Sequence, residues 1–355
     1  MEFAFNGTVP PALAEFRAGL ETALVANGYT KLDSPDDARL VVNFVDADDP
    51  RPYRRHNKWT FVASFWHAAE PPEDFIRRGY PVLVRALSNL SACVVPGYGS
   101  RFLTLEQGNY LVSSVDDPAA YYARVVERLA PLAESNLVIE NIFEPTLEPE
   151  LWSGDEATRS MSWAGEKLDR LDLLPAPFPI DKILSPRDFE HVKRLYRIGG
   201  LSYGNLSARK DDDRFWMSAS GVDKSNLREV GRDFLMVTGY QPAERAMVLQ
   251  VPPGIEPRRV SVDAIEHWKI YREHPDVGAI MHVHAWVSGI EATEINFPCG
   301  TAELADAVAE VIRRQPEPGR AIVGLKNHGL TITGESLEEI FDRVGPHILR
   351  EVPMG

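Results

Sequence analysis

Two histidines, His282 and His284, stand two apart in Ala-Ile-Met-His-Val-His (residues 279–284), and a third, His328, stands in Lys-Asn-His-Gly (residues 326–329). In a β-strand, residues two apart face the same side of the sheet, so this pair presents both imidazoles to one side. Imidazole is a common protein ligand for zinc and similar divalent ions, and a catalytic site needs three protein ligands with a position left open. The pair alone fits two histidines on a half-exposed strand as well as it fits a metal site. His328 shifts that balance: it follows the apolar run 321–325, at a strand end, beside Gly329, where the backbone can turn sharply.

Asp263, Glu266 and His267 lie in Ser-Val-Asp-Ala-Ile-Glu-His (residues 261–267), which opens a helical stretch leading into the histidine strand. Asp263 and His267 are at i and i+4, on one helical face, with Glu266 close to it. A carboxylate at a helix start is stabilised by the macrodipole, which accounts for Asp263 without any chemistry. Gly-Asn-Leu-Ser (204–207) and Ser-Ala-Ser-Gly (218–221) read, by themselves, as ordinary turn chemistry.

The elements that must hold these residues are set by periodicity. A helix over 185–196, with Ser185 as N-cap and Pro186 at the first helical position, leads into a glycine-punctuated turn and a strand ending near residue 209. Short strands are expected at 215–217 and 233–237, a helix at 261–272 and a buried strand at 277–284. A helix at 303–314, a strand at 321–325 and a helix at 336–344 complete this half. Upstream, helices at 10–27, 73–90 and 118–132 alternate with strands at 38–45, 59–66, 92–96 and 102–112, an α/β unit with no motif attached to chemistry. Its histidines, His56 and His67, have no partner at ligand spacing. Between the halves, residues 144–179 are rich in proline and charge. The expected division is an α/β domain at 1–150, a Pro-rich linker at 151–180 and a metal-binding domain at 181–355.

The chain of 355 residues is long enough for two domains, and 44% hydrophobic with 25% charged residues is an ordinary globular composition. A net charge of −14 without a clustered basic face argues against a nucleic-acid partner. Only two cysteines, Cys93 and Cys299, are present, so no disulfide framework is indicated. No run reaches the ~18 apolar residues of a membrane span, and residues 1–7 lack the order of a signal peptide. A cytoplasmic location is the resulting expectation.

Taken in order, Gly-Asn-Leu-Ser, Ser-Ala-Ser-Gly, the Asp263-xxx-His267 element, His-Val-His and Asn-His-Gly resemble the class II aldolase/adducin family over residues 185–344. The resemblance implies a three-layer αβα domain with a mainly antiparallel sheet, preceded here by a separate smaller α/β domain. It also implies a divalent metal, zinc foremost and iron, manganese or cobalt as alternatives, held by His282, His284 and His328. Asn205, Ser220, Gly221 and Ser261 match positions that bind the phosphate of sugar-phosphate substrates in that family. Asp263 matches its general acid/base, which is a glutamate in the aldolases; the family spacing of four to the helix histidine selects Asp263 over Glu266.

The function expected from this resemblance is that of a metal-dependent lyase, a homo-oligomer acting on a small hydroxy-carbonyl substrate through an enediolate. The same signature also serves epimerases, dehydratases, decarboxylases, iron(II) oxygenases and the non-catalytic adducin-like module. Three features depart from the aldolase pattern. Val262 stands where those enzymes carry a second phosphate-binding serine, the stretch 286–298 is shortened, and no tyrosine follows Tyr271 to serve as catalytic acid. Glu291 and Glu294 are the substitutes available in that stretch. A contribution from the N-terminal half is the other way to fill the gap.

Overall fold

The computed structural model describes residues 1–104, 108–114, 117–174, 180–195 and 204–355. They group into two compact units, one of residues 1–135, 180–192 and 354–355, the other of residues 136–179 and 193–353.

The first unit runs β1 (Glu2–Asn6), α1 (Ala14–Ala26), β2 (Thr30–Lys31), β3 (Leu40–Phe44), β4 (Phe61–His67), α2 (Phe75–Arg85), β5 (Leu90–Val95), β6 (Gly99–Thr104), β7 (Asn109–Ser113) and α3 (Pro118–Glu134). Its seven-stranded sheet has the order β2-β1-β3-β4-β5-β6-β7. The pairings are parallel from β2 to β5 and antiparallel from there to β7. Every residue of β3 is buried, as a strand covered on both faces requires. The run 102–112, expected as one strand, is instead parts of two: Thr104 N–H donates to the Gly108 carbonyl and Gly108 N–H to the Thr104 hydroxyl, closing a β6–β7 hairpin. The apolar alternation continues through the reversal, which hid it.

The second unit opens with β8 (Glu140–Glu144) and α4 (Glu156–Arg170). After it, α5 (Ile180–Ile183) and most of α6 (Pro186–Leu195) return to the first unit. Ser185 caps α6 by accepting from Asp188 N–H at 3.2 Å. The turn at 199–203 and the proline run 175–179 lie outside the described residues.

The remainder is β9 (Gly204–Arg209), β10 (Phe215–Ser218), β11 (Phe234–Gln241), β12 (Ala246–Gln250), α7 (Ala264–Glu273), β13 (Ala279–Val283), α8 (Ala302–Arg314), β14 (Ile322–Leu325), β15 (Gly329–Gly334) and α9 (Leu337–Val344). The eight-stranded sheet has the order β14-β15-β13-β9-β10-β11-β12-β8, antiparallel at each pair except β12–β8. Helix α7 packs on α8, and α4 on α9. Buried Leu206, Trp216, Met217, Ile280 and Ile332 belong to one apolar core.

Residues 151–180, expected as linker, are corrected in extent: 156–170 form a helix of the second unit. Asp155 accepts from Thr158 N–H while the Thr158 hydroxyl receives the Asp155 N–H, a capping box. Met161, Ala164 and Leu168 are fully buried at helical spacing. Gly165 lets α4 approach closely, since a Cβ there would lie 1.8 Å from the Lys224 carbonyl oxygen. Proline and charge concealed a short amphipathic stripe. Residues 140–144 likewise join this unit's sheet, pairing with β12.

Candidate metal centre

Asn205 on β9, His282 on β13 and Thr331 on β15 are directly opposed in register, so their side chains form a row across three strands on one face. His328 comes from the β14–β15 turn. There Asn327 has φ +56°, and Gly329 has no room for a side chain because a Cβ would lie 2.3 Å from the Val283 carbonyl oxygen. That close approach sets His328 beside the end of β13.

The ligand atoms of His282, His284 and His328 all lie within 4.8 Å of one another, and all three residues are buried. His284 Nε2 and His328 Nε2 are 3.0 Å apart. Two nitrogens on one tetrahedral zinc would be ~3.3 Å apart given Zn–N of about 2.0–2.1 Å. His282 Nδ1 faces the Thr331 hydroxyl at 3.4 Å, and its Nε2 is buried with no hydrogen-bond partner among the described residues. Burial pushes His282 down to about 4, opposed by a backbone hydrogen bond to Leu330 and reinforced by Lys224. Burial, then His328, His282 and Lys224, hold His284 well below its ordinary range. Neutral imidazoles with an orphaned nitrogen suit a divalent cation.

Helix α7 and the residue before it, Asp263, meet these strands through four side-chain contacts. Asn205 Nδ2 donates to Asp263 Oδ2 at 2.7 Å, and the Thr331 hydroxyl donates to Glu266 Oε1. Ser207 Oγ is 2.7 Å from His267 Nδ1 and 2.9 Å from Tyr271 OH. Asp263 is the residue before the helix, yet its side chain makes no capping bond. It is buried and aimed at Asn205, the neighbour of His282, so helix capping does not account for it. Glu266, completely buried, is pushed up by desolvation and by the Asp263 charge, which makes it the neutral member of the pair. His267 anchors the helix to Ser207 rather than joining the histidine cluster.

The turn residues also come together. Ala219 bridges Val260, Ser220 N–H donates to the Arg259 carbonyl and Ser261 N–H to the Ser218 carbonyl. This lays Ser220 and Gly221, the latter at φ +68°, alongside Ser261. Glu291 and Glu294 are surface residues, and Glu291 pairs with Arg314 at 2.8 Å.

Two residues were given no place at the site from the sequence. Lys224 is completely buried, and desolvation pushes it down to about 8 against the pull of Asp263 and Asp223. Cys299 Sγ is 3.3 Å from His328 Nε2. A lysine three positions after Ser-Ala-Ser-Gly carries no local signal of burial, and nothing near Cys299 encodes a neighbour 29 residues on. A cavity of about 650 Å³ lies elsewhere, at the other ends of β9 and β13 by Arg209, Gly278 and Glu335.

Residues 194–292 match the family model described as Class II Aldolase and Adducin N-terminal domain. A methylthioribulose-1-phosphate dehydratase of Citrobacter koseri is 30% identical, the match covering 38% of this chain and 75% of that protein. Its counterpart from Leptospira biflexa is 28% identical over 139 residues, 38% of this chain, and the chain spans 62% of that relative's length. Among solved structures, an L-fuculose 1-phosphate aldolase aligns with TM-score 0.38 and 18% identity, covering 55% of this chain and 82% of that one. The Thermus thermophilus L-fuculose-1-phosphate aldolase aligns with TM-score 0.33 and 20% identity, covering 52% and 85%. Among the described residues, no helix is long and apolar enough to cross a membrane. Through its C-terminal half, this chain belongs to the class II aldolase and adducin family.

Proposed function

We propose that the second unit is a divalent-metal-dependent lyase acting on a small hydroxy-carbonyl compound that carries a phosphate or carboxylate group. The observation that supports this most directly is the convergence of three buried imidazoles beside a row that ends in a buried carboxylate, Asp263. His282, His284 and His328 would hold the metal, which, when bound, supplies Lewis acidity toward substrate oxygens.

Asp263 then takes or returns the proton at the carbon beside the carbonyl. Asn205 donates to Oδ2 and holds that carboxylate over the strand pair. Ser220 and Ser261 would bind the anionic group of the substrate through their hydroxyls and Gly221 through its backbone N–H, because the N–H groups of Ser220 and Ser261 pair with the Arg259 and Ser218 carbonyls. Buried Lys224 adds positive potential to the same neighbourhood. The pairing of α7 with α8 and of α4 with α9 supports a three-layer arrangement of this unit. A homo-oligomer and a zinc ion are part of the reading by family membership.

Cleavage of a C–C bond and elimination of water both require a proton to be passed to or from the carbon beside a carbonyl. The dehydratase relative at 30% identity favours elimination as a second reading. Elemental analysis of protein purified without added metal, followed by lyase assays on L-fuculose 1-phosphate and methylthioribulose 1-phosphate, tests the proposal. About one divalent ion per chain and metal-dependent turnover are expected. Persistent absence of metal after zinc, manganese and iron are supplied would leave a non-catalytic binding module.

A further inference from the structure

We infer that Glu266 is a positioning residue for His282: acting through the Thr331 hydroxyl, it holds the ring proton on Nδ1 and leaves Nε2 as the lone pair that can ligate. This rests on the metal reading above and deepens it with a residue that reading does not use.

The strand register sets up the contact. His282 on β13 stands between Asn205 on β9 and Thr331 on β15, each directly opposite it. Carboxyls three positions apart at the start of α7 bond both neighbours, Asp263 to Asn205 and Glu266 to Thr331. The Thr331 hydroxyl has one proton, and it goes to Glu266 Oε1. Toward His282 Nδ1, 3.4 Å away, the same oxygen can therefore only accept. The Leu330 backbone makes a second bond to this ring, one that favours the protonated imidazole, as a bond to a carbonyl does. Because Nε2 has no hydrogen-bond partner among the described residues, both bonds fall on Nδ1. Two acceptors there select the tautomer that carries its proton on Nδ1.

Stability alone does not account for Glu266. It is 1% exposed, and its Oε2 has no hydrogen-bond partner among the described residues. A carboxyl in that setting costs folding free energy that an apolar side chain of similar size would not. What it supplies instead is an acceptor that turns the Thr331 proton away from His282. Without that acceptor the proton is free to point at Nδ1, which favours the Nε2–H tautomer and blocks the ligating lone pair. A neutral carboxyl keeps a carbonyl oxygen for this task, so no titration of Glu266 is involved.

The test uses the full chain, labelled with nitrogen-15 in its nine histidines and stripped of metal with a chelator. The His282 signal, identified by its absence in His282→Gln, should show a protonated Nδ1 and an unprotonated Nε2 before any metal is added. In Glu266→Met the Nε2–H tautomer should gain population, and zinc affinity, measured by competition with a chromophoric chelator, should fall at least ~10-fold. Glu266→Gln keeps an oxygen acceptor for Thr331 and should restore both readings. Thr331→Val removes the link between the two residues, so it should weaken zinc binding to the same degree, with no further loss when combined with Glu266→Met. It also gives an answer if Glu266→Met fails to fold. A protonated Nε2 in the unmodified chain overturns the inference. So does Glu266→Met with tautomer and affinity unchanged, which would assign the ring to Leu330 alone. In either case, zinc binding by the unmodified chain leaves the three-histidine reading standing. Folded, unmodified protein that binds no zinc overturns both.

Discussion

The Nε2 atoms of His284 and His328 lie 3.0 Å apart, although the two residues are 44 positions apart in the chain. Their juxtaposition depends on Gly329, across which β15 approaches the Val283 carbonyl. Gly329→Ala should push the β14–β15 turn away from β13 and weaken metal binding at least ~10-fold. His328→Ala, which deletes a donor outright, should cost more than ~100-fold. Isothermal titration with zinc measures both; unchanged affinity in either variant would detach His328 from the centre.

Asp263 makes no capping bond and accepts instead from Asn205, the arrangement that supports its proposed role in proton transfer. Asp263→Asn preserves the hydrogen bond from Asn205 but cannot take a proton, so kcat should fall ~10²–10⁴-fold with metal content unchanged. Helix content by circular dichroism should stay constant, since no cap is lost. A variant with near-normal turnover and full metal would remove Asp263 from the chemistry.

Glu266 gives stability a pH dependence in the metal-free protein. Its folded pKa is raised, by burial first and then by Asp263, so the folded state holds a proton that the unfolded chain releases above ~4.3. Its contribution is complete below that value and is lost as pH rises toward the folded pKa, at up to about 1.4 kcal/mol per pH unit. Glu266→Gln keeps an acceptor for Thr331 and does not titrate. Relative to the unmodified chain it should become progressively more stable from about pH 5 to about pH 8, by thermal melts at each pH. A constant difference would mean Glu266 is not desolvated.

In the first unit Asp188 accepts from Arg85 Nε at 2.9 Å and Nη2 at 2.8 Å, and also from the Ser185 hydroxyl. Arg85 holds the Asp188 carboxyl below its usual range, against the opposing effect of burial. For a depressed carboxyl, stability is present above the unfolded value of ~3.9 and disappears as pH falls through the folded value. Arg85 is partly exposed, so solvent screening limits the pair, and Asp188→Asn should cost about 1 kcal/mol at pH 7. Urea midpoints should show that cost shrinking toward about pH 3. A loss that is equally large in acid would assign the effect to packing instead.

Much of the candidate metal centre was legible because strand periodicity and residue type suffice for it. His282 and His284 share a face by alternation alone, and His328 stands beside a glycine at a strand end. Boundaries were less legible: α4 sits in a stretch whose prolines and charges resemble a linker, and β8 falls in the part expected as the N-terminal domain. Their stabilising partners, β12 and the turn at Lys224, are distant in sequence. Periodicity records which face of an element is apolar and not what covers it.

The amino-acid order by itself therefore determined which side chains could ligate a cation and which element each would ride on, because both depend on local geometry. Only the tertiary structure decided that Asp263 turns from its helix to Asn205, that Glu266 is buried behind Thr331, that Lys224 is desolvated and that Cys299 meets His328. Each of those depends on strand register and long-range packing, which bring together groups whose separation along the chain carries no periodic signal.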